Sequence, residues 1–536
     1  MNKRITIMGA ALLLLFAGMA GMAGAQQVLL DGTLIPKFVD PLPVAGDISV
    51  VDATSAGTPA YNIHLREFQA QILPSTGVPA AGLPANTASW VWGYLTEADL
   101  TGAFPRPSYL GPVVVAERGV PAHPTYFNEL PLYPDGVVQS NLLPIDMTLD
   151  WANPLAIDCT PDAAGNLPAQ CLGKYLGPVP DSVHIHGGEV PPASDGGPDS
   201  WFTQDVPGTG SPSHTGIGFP GKTLVYPNGQ EEATIWFHPH GFGITRLNVY
   251  AGMAGVYPIV DPANPPLATM PAFPQHDIPL IIQDRSFDTN GQIFYNLASN
   301  PQPNPTVHPF WIPEFIGDVI CVNGKTWPNL DVEPRQYRFR LLNGSNARFY
   351  DLSLSNGAPF IAIATDDGYL ANAVSTSNVI IAPGERYEVI VDFSSFPVGT
   401  QVIMNNAANT PFPGGDPVNP GTTDTVMRFT VVANTSGLAD TTIVGGVPGT
   451  LGTAIRPTPL EPILNAHDPA TGSITRQLTL NEVSSIDGPL ELVVNNSKYN
   501  LKSYDPAAPA RPIPVLPGCT TTLCRETELP AVGDTE

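Results

Sequence analysis

Two stretches decide the reading: DSVHIHGGEV, Asp181 to Val190, and TIWFHPHGFGITRLNVYAGMAGVY, Thr234 to Tyr257. The chain has only 10 histidines among 536 residues, yet His184/His186 and His238/His240 form two His-x-His pairs, each followed at once by glycine. A random chain of this composition should hold about 0.2 such pairs. On a β-strand, residues i and i+2 point to the same face, so each pair projects two imidazoles into one space. Two such strands offer four nitrogens, and neutral imidazole is a favoured ligand of copper and zinc. Gly187 and Gly241 are expected to let backbone pack close to a metal cluster. The other histidines, His64, His123, His214, His276, His308 and His467, stand alone in the sequence and are expected to be hydrogen-bonded structural residues.

Composition sets the surroundings of this site. The length is too great for one hydrophobic core, and 61 prolines and 51 glycines with 43 % hydrophobic residues suit short strands joined by long loops. Lys and Arg number 23 against 48 Asp and Glu, a net charge of −25, which argues against nucleic acid or an anionic membrane as partner. The start, with Lys3 and Arg4, an apolar run from Ile5 to Met22 and the small residues Ala23-Gly24-Ala25, reads as a secretory signal peptide over residues 1–25. An uncleaved membrane anchor is the alternative. Cleavage after Ala25 would leave a secreted or periplasmic protein with no integral membrane association. In an oxidising compartment the local pairs Cys159/Cys171 and Cys519/Cys524 suit disulfides, and Cys321, within GDVICVNG, reads as an inert buried thiol.

Strand-like runs include ASWVWGYL (Ala88 to Leu95), GPVVVAERG (Gly111 to Gly119), DSVHIHGG, ATIWFHPHG and AGVYPIV (Ala254 to Val260). They define a first β-sandwich over residues 26–262. A proline-dense link, DPANPPLATMPAFP, precedes a second block over 263–435 that holds DIPLIIQDRSF, QYRFRLLNGS, PFIAIATDDG, NVIIAPGERYEVIVDF and TVMRFTVV. Residues 436–536 read as a linker and a short third block, too small for a sandwich of roughly 100 residues. The acidic pairs Asp366/Asp367 and Glu231/Glu232 fall at expected turns, where solvated carboxylates are ordinary. Asp195 and Asp199, in the loop after the first histidine pair, are candidates for orienting an imidazole or relaying protons.

HIHGG followed by WFHPHGFGITRLNVYAGMAGVYPIVDP resembles the first two copper-binding motifs of the multicopper oxidases, in particular the bacterial spore-coat laccase and bilirubin oxidase branch. The likeness extends through YNIHLREFQAQILP, VNGKTWPNLDVEPRQYRFRLLNGSNARFYDLSL, IAPGERYEVIVDF and NEVSSIDGPLELVVNNSKYN. The resemblance implies an all-β fold of tandem cupredoxin-like Greek-key sandwiches, two complete and a third incomplete. It also implies a trinuclear copper cluster that reduces dioxygen to water. Electrons come from phenolic, bilin or metal-ion donors through a type 1 copper. By motif position His184 would ligate type 2 copper, and His186, His238 and His240 the type 3 pair; Pro239 is expected to stiffen its strand without removing a ligand. The family's His-Pro-x-His-x-His and His-Cys-His motifs are not in this sequence: no histidine follows His467 and no cysteine is flanked by histidine. ETELPAVGDTE resembles the strand leading into the first of them, so the chain as written is expected to lack the type 1 site and half of the trinuclear cage. The alternatives are a non-catalytic copper-binding or scaffold protein, and one half of a split oxidase completed by a separate chain.

Overall fold

The computed structural model of the chain describes residues 28–55, 60–130, 143, 145–147, 151–160, 162, 166–171, 175, 177–263, 270–271, 273–295, 314–437, 455–456, 480–485 and 488–494. The expected signal peptide, the Cys519/Cys524 pair, His308, His467 and the tail after Val494 lie outside them. Among the described residues no helix is long and apolar enough to cross a membrane.

The protein is built of sheets. In the first body these are β1 (Val50–Ala53), β2 (Ala60–Ala70), β3 (Ser89–Thr96), β4 (Val113–Glu117), β5 (His123–Asn128), β6 (Val183–His186), β7 (Ala233–Pro239) and β8 (Gly255–Val260). They form a five-stranded sheet in the order β1-β4-β8-β7-β6 and a three-stranded sheet β3-β2-β5. The second body holds β9 (Asp277–Arg285), β10 (Val319–Val322), β11 (Lys325–Thr326), β12 (Asn329–Val332), β13 (Gln336–Asn343), β14 (Tyr350–Leu354), β15 (Phe360–Thr365), β16 (Gly368–Thr376), β17 (Val379–Ile381), β18 (Arg386–Asp392), β19 (Gln401–Asn406) and β20 (Thr425–Val431). Its sheets run β11-β10-β9-β13-β18-β15-β16 and β12-β20-β19-β14-β17. A two-stranded ribbon, β21 (Leu480–Ser485) and β22 (Gly488–Val494), stands where the third block was expected. The resulting fold is all-β and cupredoxin-like, with the crossovers that place β4 between β1 and β8. A short helix, α1 (Thr245–Ala251), lies between β7 and β8 in a stretch to which the sequence analysis assigns no element.

Burial alternates along β5, β6, β14 and β19 and runs nearly unbroken along β7, β8, β9 and β13. In β5 every second residue is buried, and in β7 all are, because both of its edges are paired and both faces covered. A single cluster of buried apolar side chains, including Leu30, Trp92, Phe237, Phe287, Trp327, Phe339 and Phe429, runs through both bodies. Polar links reinforce it: the Tyr109 hydroxyl donates to Gln283 Oε1 at 2.7 Å, Ser89 Oγ to the Gly291 carbonyl at 2.6 Å, and Ser108 Oγ to the Asn323 carbonyl at 2.8 Å. Cys159 and Cys171 are disulfide-bonded, closing the expected local loop. Cys321 is a buried free thiol, and burial pushes its pKa up to about 12.

The QYRFRLLN alternation of β13 carries the main departure from ordinary patterning. Tyr337, Phe339 and Leu341 share one face, and Arg338 and Arg340 lie on the other. All are buried, so the two guanidinium groups need buried partners. Arg340 Nη1 lies 2.9 Å from Glu388 Oε1 and its Nη2 2.7 Å from Asp277 Oδ2, while Arg338 pairs with Glu388 Oε2. Burial raises the Glu388 pKa, but the charges of Arg338 and Arg340 and the bond from Thr234 outweigh it and hold the carboxyl at about 2, against an ordinary 4.5. Removing one member of such a network strands the others in a dry interior. Glu388→Gln should therefore lose about 3–5 kcal/mol of stability at pH 7. A depressed folded-state pKa contributes stability above the unfolded value and loses it as pH falls through the folded one. Urea unfolding of both proteins should show that difference shrinking as pH falls from 4.5 towards about 2; a gap independent of pH in this range would mean that the carboxylate charge is not what stabilises the network.

Candidate metal centre

β6 and β7 are antiparallel neighbours with His184 directly opposite His238 and His186 opposite Trp236. The two-residue period then lines up His184, His186, Trp236 and His238 on one face, while Val183, Ile185 and Phe237 point into the core. Ring centroids lie 5.4 Å apart for His184 and His238, 5.4 Å for His186 and His238, and 4.8 Å for His184 and His240. One ligand nitrogen from each of His184, His186 and His238 falls within 4.8 Å of the others. His240 follows the end of β7 rather than sitting on it, and is held by its amide, which donates to the Ser182 carbonyl at 2.6 Å. All four residues of the two pairs thus meet in one place.

Hydrogen bonds fix which nitrogens face inward. His184 Nδ1 lies 2.6 Å from the Asp195 carbonyl and His238 Nδ1 lies 2.7 Å from the Pro239 carbonyl. A carbonyl can only accept, so each Nδ1 carries the proton and each Nε2 is left unprotonated. His186 Nδ1 stands 3.2 Å from His238 Nε2. His240 Nδ1 is buried without a hydrogen-bond partner. Burial lowers the pKa of His186 to about 4, helped by the charge of Arg386 and the other imidazoles. Burial likewise takes His238 well below its ordinary value and lowers His240. Neutral rings with aimed lone pairs and one orphaned buried nitrogen are what a metal of the copper or zinc class requires.

The loop after β6 supplies support. Asp195 backs His184 through its carbonyl and places Oδ1 3.3 Å from the same Nδ1. The Asp199 carboxylate lies against Gly218, where a Cβ would fall 2.8 Å from its Oδ1, and its carbonyl accepts the Gly218 amide at 3.1 Å. The expected role of the flanking glycines is corrected. A Cβ on Gly187, whose φ is +88°, would fall 2.6 Å from Arg386 Nη2 and 2.5 Å from Asp367 Oδ1, so this glycine makes room for the second body. A Cβ on Gly241 would meet the Ile244 side chain. Asp366 and Asp367, expected as solvated turn carboxylates, are both within 3.0 Å of the Arg386 guanidinium. Glu231 pairs with Arg456, and Glu232 is buried, accepting the Asp261 amide. Among the isolated histidines, His64 lies between Glu97 and Glu129, each at 3.1 Å, and His276 lies 3.7 Å from Glu333. His214 Nδ1 is 3.2 Å from Ser213 Oγ, so these three have structural surroundings. Sequence reasoning passed over Asp181, a wholly buried residue three places before His184. Burial pushes its carboxyl up to about 7, against the opposing pull of Asn248, the Ser182 amide and Tyr94.

The multicopper oxidase family model matches residues 287–428. The chain is 39 % identical over 391 residues to multicopper oxidase LPR2 of Arabidopsis thaliana, covering 73 % of this chain and 58 % of that protein. It is 35 % identical over 415 residues to a laccase of Bacillus stratosphericus, covering 76 % and 68 %. The crystal structure of the McoA multicopper oxidase 2F4 variant from the hyperthermophile Aquifex aeolicus shares its fold, with a TM-score of 0.56 at 22 % identity over 85 % of this chain and 74 % of that one. With relatives of this closeness, the chain belongs to the multicopper oxidase family. Copper is the metal of that family. The chain spans somewhat under three-fifths of LPR2, 58 %.

The burial of His186 has a direct test. In metal-free protein with labelled histidine, its ring resonances should stay at their neutral positions down to about pH 5 and shift with a midpoint of about 4. A midpoint near 6.5 would place the ring in water.

Proposed function

We propose that His184, His186, His238 and His240 are copper ligands, the contribution of the first body to a trinuclear site, in a laccase-type oxidoreductase. His184 takes the type 2 position and His186, His238 and His240 the type 3 pair. Bound copper would supply the one-electron chemistry that joins oxidation of a phenolic, bilin or metal-ion donor to reduction of dioxygen to water. The observation that carries this reading is the register His184↔His238, which sets two ligand pairs face to face.

The chain's own residues do three things at this site. The Asp195 and Pro239 carbonyls hold the His184 and His238 rings with Nε2 unprotonated. Burial keeps His186 and His238 neutral, so no proton competes with the metal near pH 7. Trp236 packs its ring against those of His238 and His186, with centroids 4.1 Å and 5.3 Å apart. The Cys159–Cys171 disulfide supports a secreted or periplasmic location.

A second reading of the same four histidines is a non-catalytic copper-binding or scaffold component. Copper titration of the purified chain, with metal content and electron paramagnetic resonance as readouts, tests the site itself. Bound Cu(II) should show nitrogen coupling, and His184→Ala with His238→Ala together should weaken binding at least 100-fold. Binding unaffected by that pair of substitutions would refute the site. Oxygen consumption with a phenolic donor separates the two readings: turnover excludes the scaffold, and its absence with copper bound favours it.

A further inference from the structure

The two histidine strands are gripped from outside their own sheet by a single side chain of the second body. Arg386, at the first position of β18, donates from Nε to the Thr234 carbonyl at 3.0 Å. Thr234 lies on β7, four residues before His238. It stands opposite Pro258 of β8, which has no amide hydrogen to give, and beyond the end of β6, whose pairing stops at His186↔Trp236. The guanidinium therefore supplies a donor to a buried carbonyl at a place where neither neighbouring strand does so. The rest of the fork is held from behind: Nη2 donates to Asp367 Oδ1 at 2.9 Å, Nη1 donates to the Gly384 carbonyl at 3.1 Å, and Asp366 Oδ1 is 3.0 Å from Nη1.

The same side chain reaches β6. Nη2 fills the space where Gly187, the residue after His186, would otherwise carry a Cβ. Gly384 lies so close on the other side that its own Cβ would stand 3.2 Å from His186 Cε1. The Thr234 side chain adds a second tie, since its Oγ1 donates to Glu388 Oε1 at 2.5 Å and accepts from Arg340 Nη1 at 2.7 Å. Arg386 thus touches the main chain of one histidine strand and the turn that ends the other, and is locked in place by two carboxylates and a carbonyl.

We propose that Arg386 is a positioning residue of the metal site, fixing the separation of the His184/His186 and His238/His240 pairs from the second body. The inference rests on the reading of the four histidines as copper ligands. An arginine is needed because only its planar fork meets Thr234, Gly384, Asp366 and Asp367 together; lysine offers one point charge.

The test uses the full chain, Cu(II) titrated against a competing chelator, and the electron paramagnetic resonance spectrum of the bound ion. Arg386→Met should weaken Cu(II) binding about tenfold or more and alter its hyperfine coupling, the scale seen when residues that orient ligands are removed. Asp367→Asn loosens one tether of the guanidinium at a residue whose side chain is 60 % exposed, so the fold is spared. It should shift both readouts in the same direction by less, and it decides the question if Arg386→Met does not fold. Arg348→Met, which breaks the buried pair with Asp284 inside the second body, is the control for destabilisation alone. It should lower the unfolding temperature and leave the copper spectrum unchanged. Wild-type affinity and spectrum in Arg386→Met, or in Asp367→Asn where it alone folds, overturns the positioning role, as does an equal spectral change in Arg348→Met. His238→Ala separates the two claims: if it too leaves binding unchanged, the copper site itself is refuted, whereas loss in His238→Ala without loss in Arg386→Met removes only the role of Arg386.

Discussion

Everything at the metal centre depends on the antiparallel register that sets His184 against His238. Side chains on a strand alternate faces, so a slip of one residue would turn Ile185 and Phe237 towards the polar cavity and press the imidazoles into the core. That register is enforced from the apolar side. Val183, Ile185, Ile235 and Phe237 are nearly wholly buried, and exposing several of them at once would cost far more than any rearrangement of the histidines could recover. The ligand geometry is thus a by-product of core packing, with the metal face inheriting its order from the opposite face.

The second constraint is electrostatic. Arg338, Arg340, Asp277 and Glu388 are buried between β13, β18 and β9, and Thr234 of β7 joins them by two hydrogen bonds. Such a network is weak evidence of net stabilisation, because desolvation offsets most of the attraction. Its value lies in geometry. Ion pairs with fixed hydrogen-bond directions tolerate few alternative arrangements, whereas apolar surfaces can slide. A histidine strand that must hold its place relative to a second sandwich is better located by a guanidinium fork than by leucines.

How much of this was legible beforehand follows from the range of each interaction. The His-x-His pairs, the strand character of β3, β4, β7 and β8, the Cys159–Cys171 loop and the inert Cys321 are local patterns, and sequence periodicity and spacing carry them. The partners of Arg338, Arg340 and Arg386 are separated from them by up to 152 residues, as in the bond from Arg386 to Thr234, and no local pattern specifies such a pair. A signal was present in QYRFRLLN: two arginines at alternate positions of an otherwise apolar strand can be buried only if acids face them. Gly187 was misread for the same reason. Its freedom to adopt φ +88° was visible as glycine, but the atoms that exclude a side chain belong to Arg386 and Asp367. Helix α1 was missed because the run of glycines and apolar residues around it reads equally as strand and turn.

Pro239 shows how little chain is needed to set a ligand. It is the last residue of β7, opposite Val183, and His240 leaves the strand after it. Its carbonyl accepts the Nδ1 hydrogen of His238, the residue just before it, while its own missing amide asks for no partner inside the site. The tautomer of His238 is therefore fixed by its immediate neighbour, and that of His184 by the main-chain carbonyl of Asp195. Main-chain carbonyls do not titrate. The carbonyl bonds that orient the two opposed rings consequently do not switch with the protonation of Asp181, whose charge changes around neutrality.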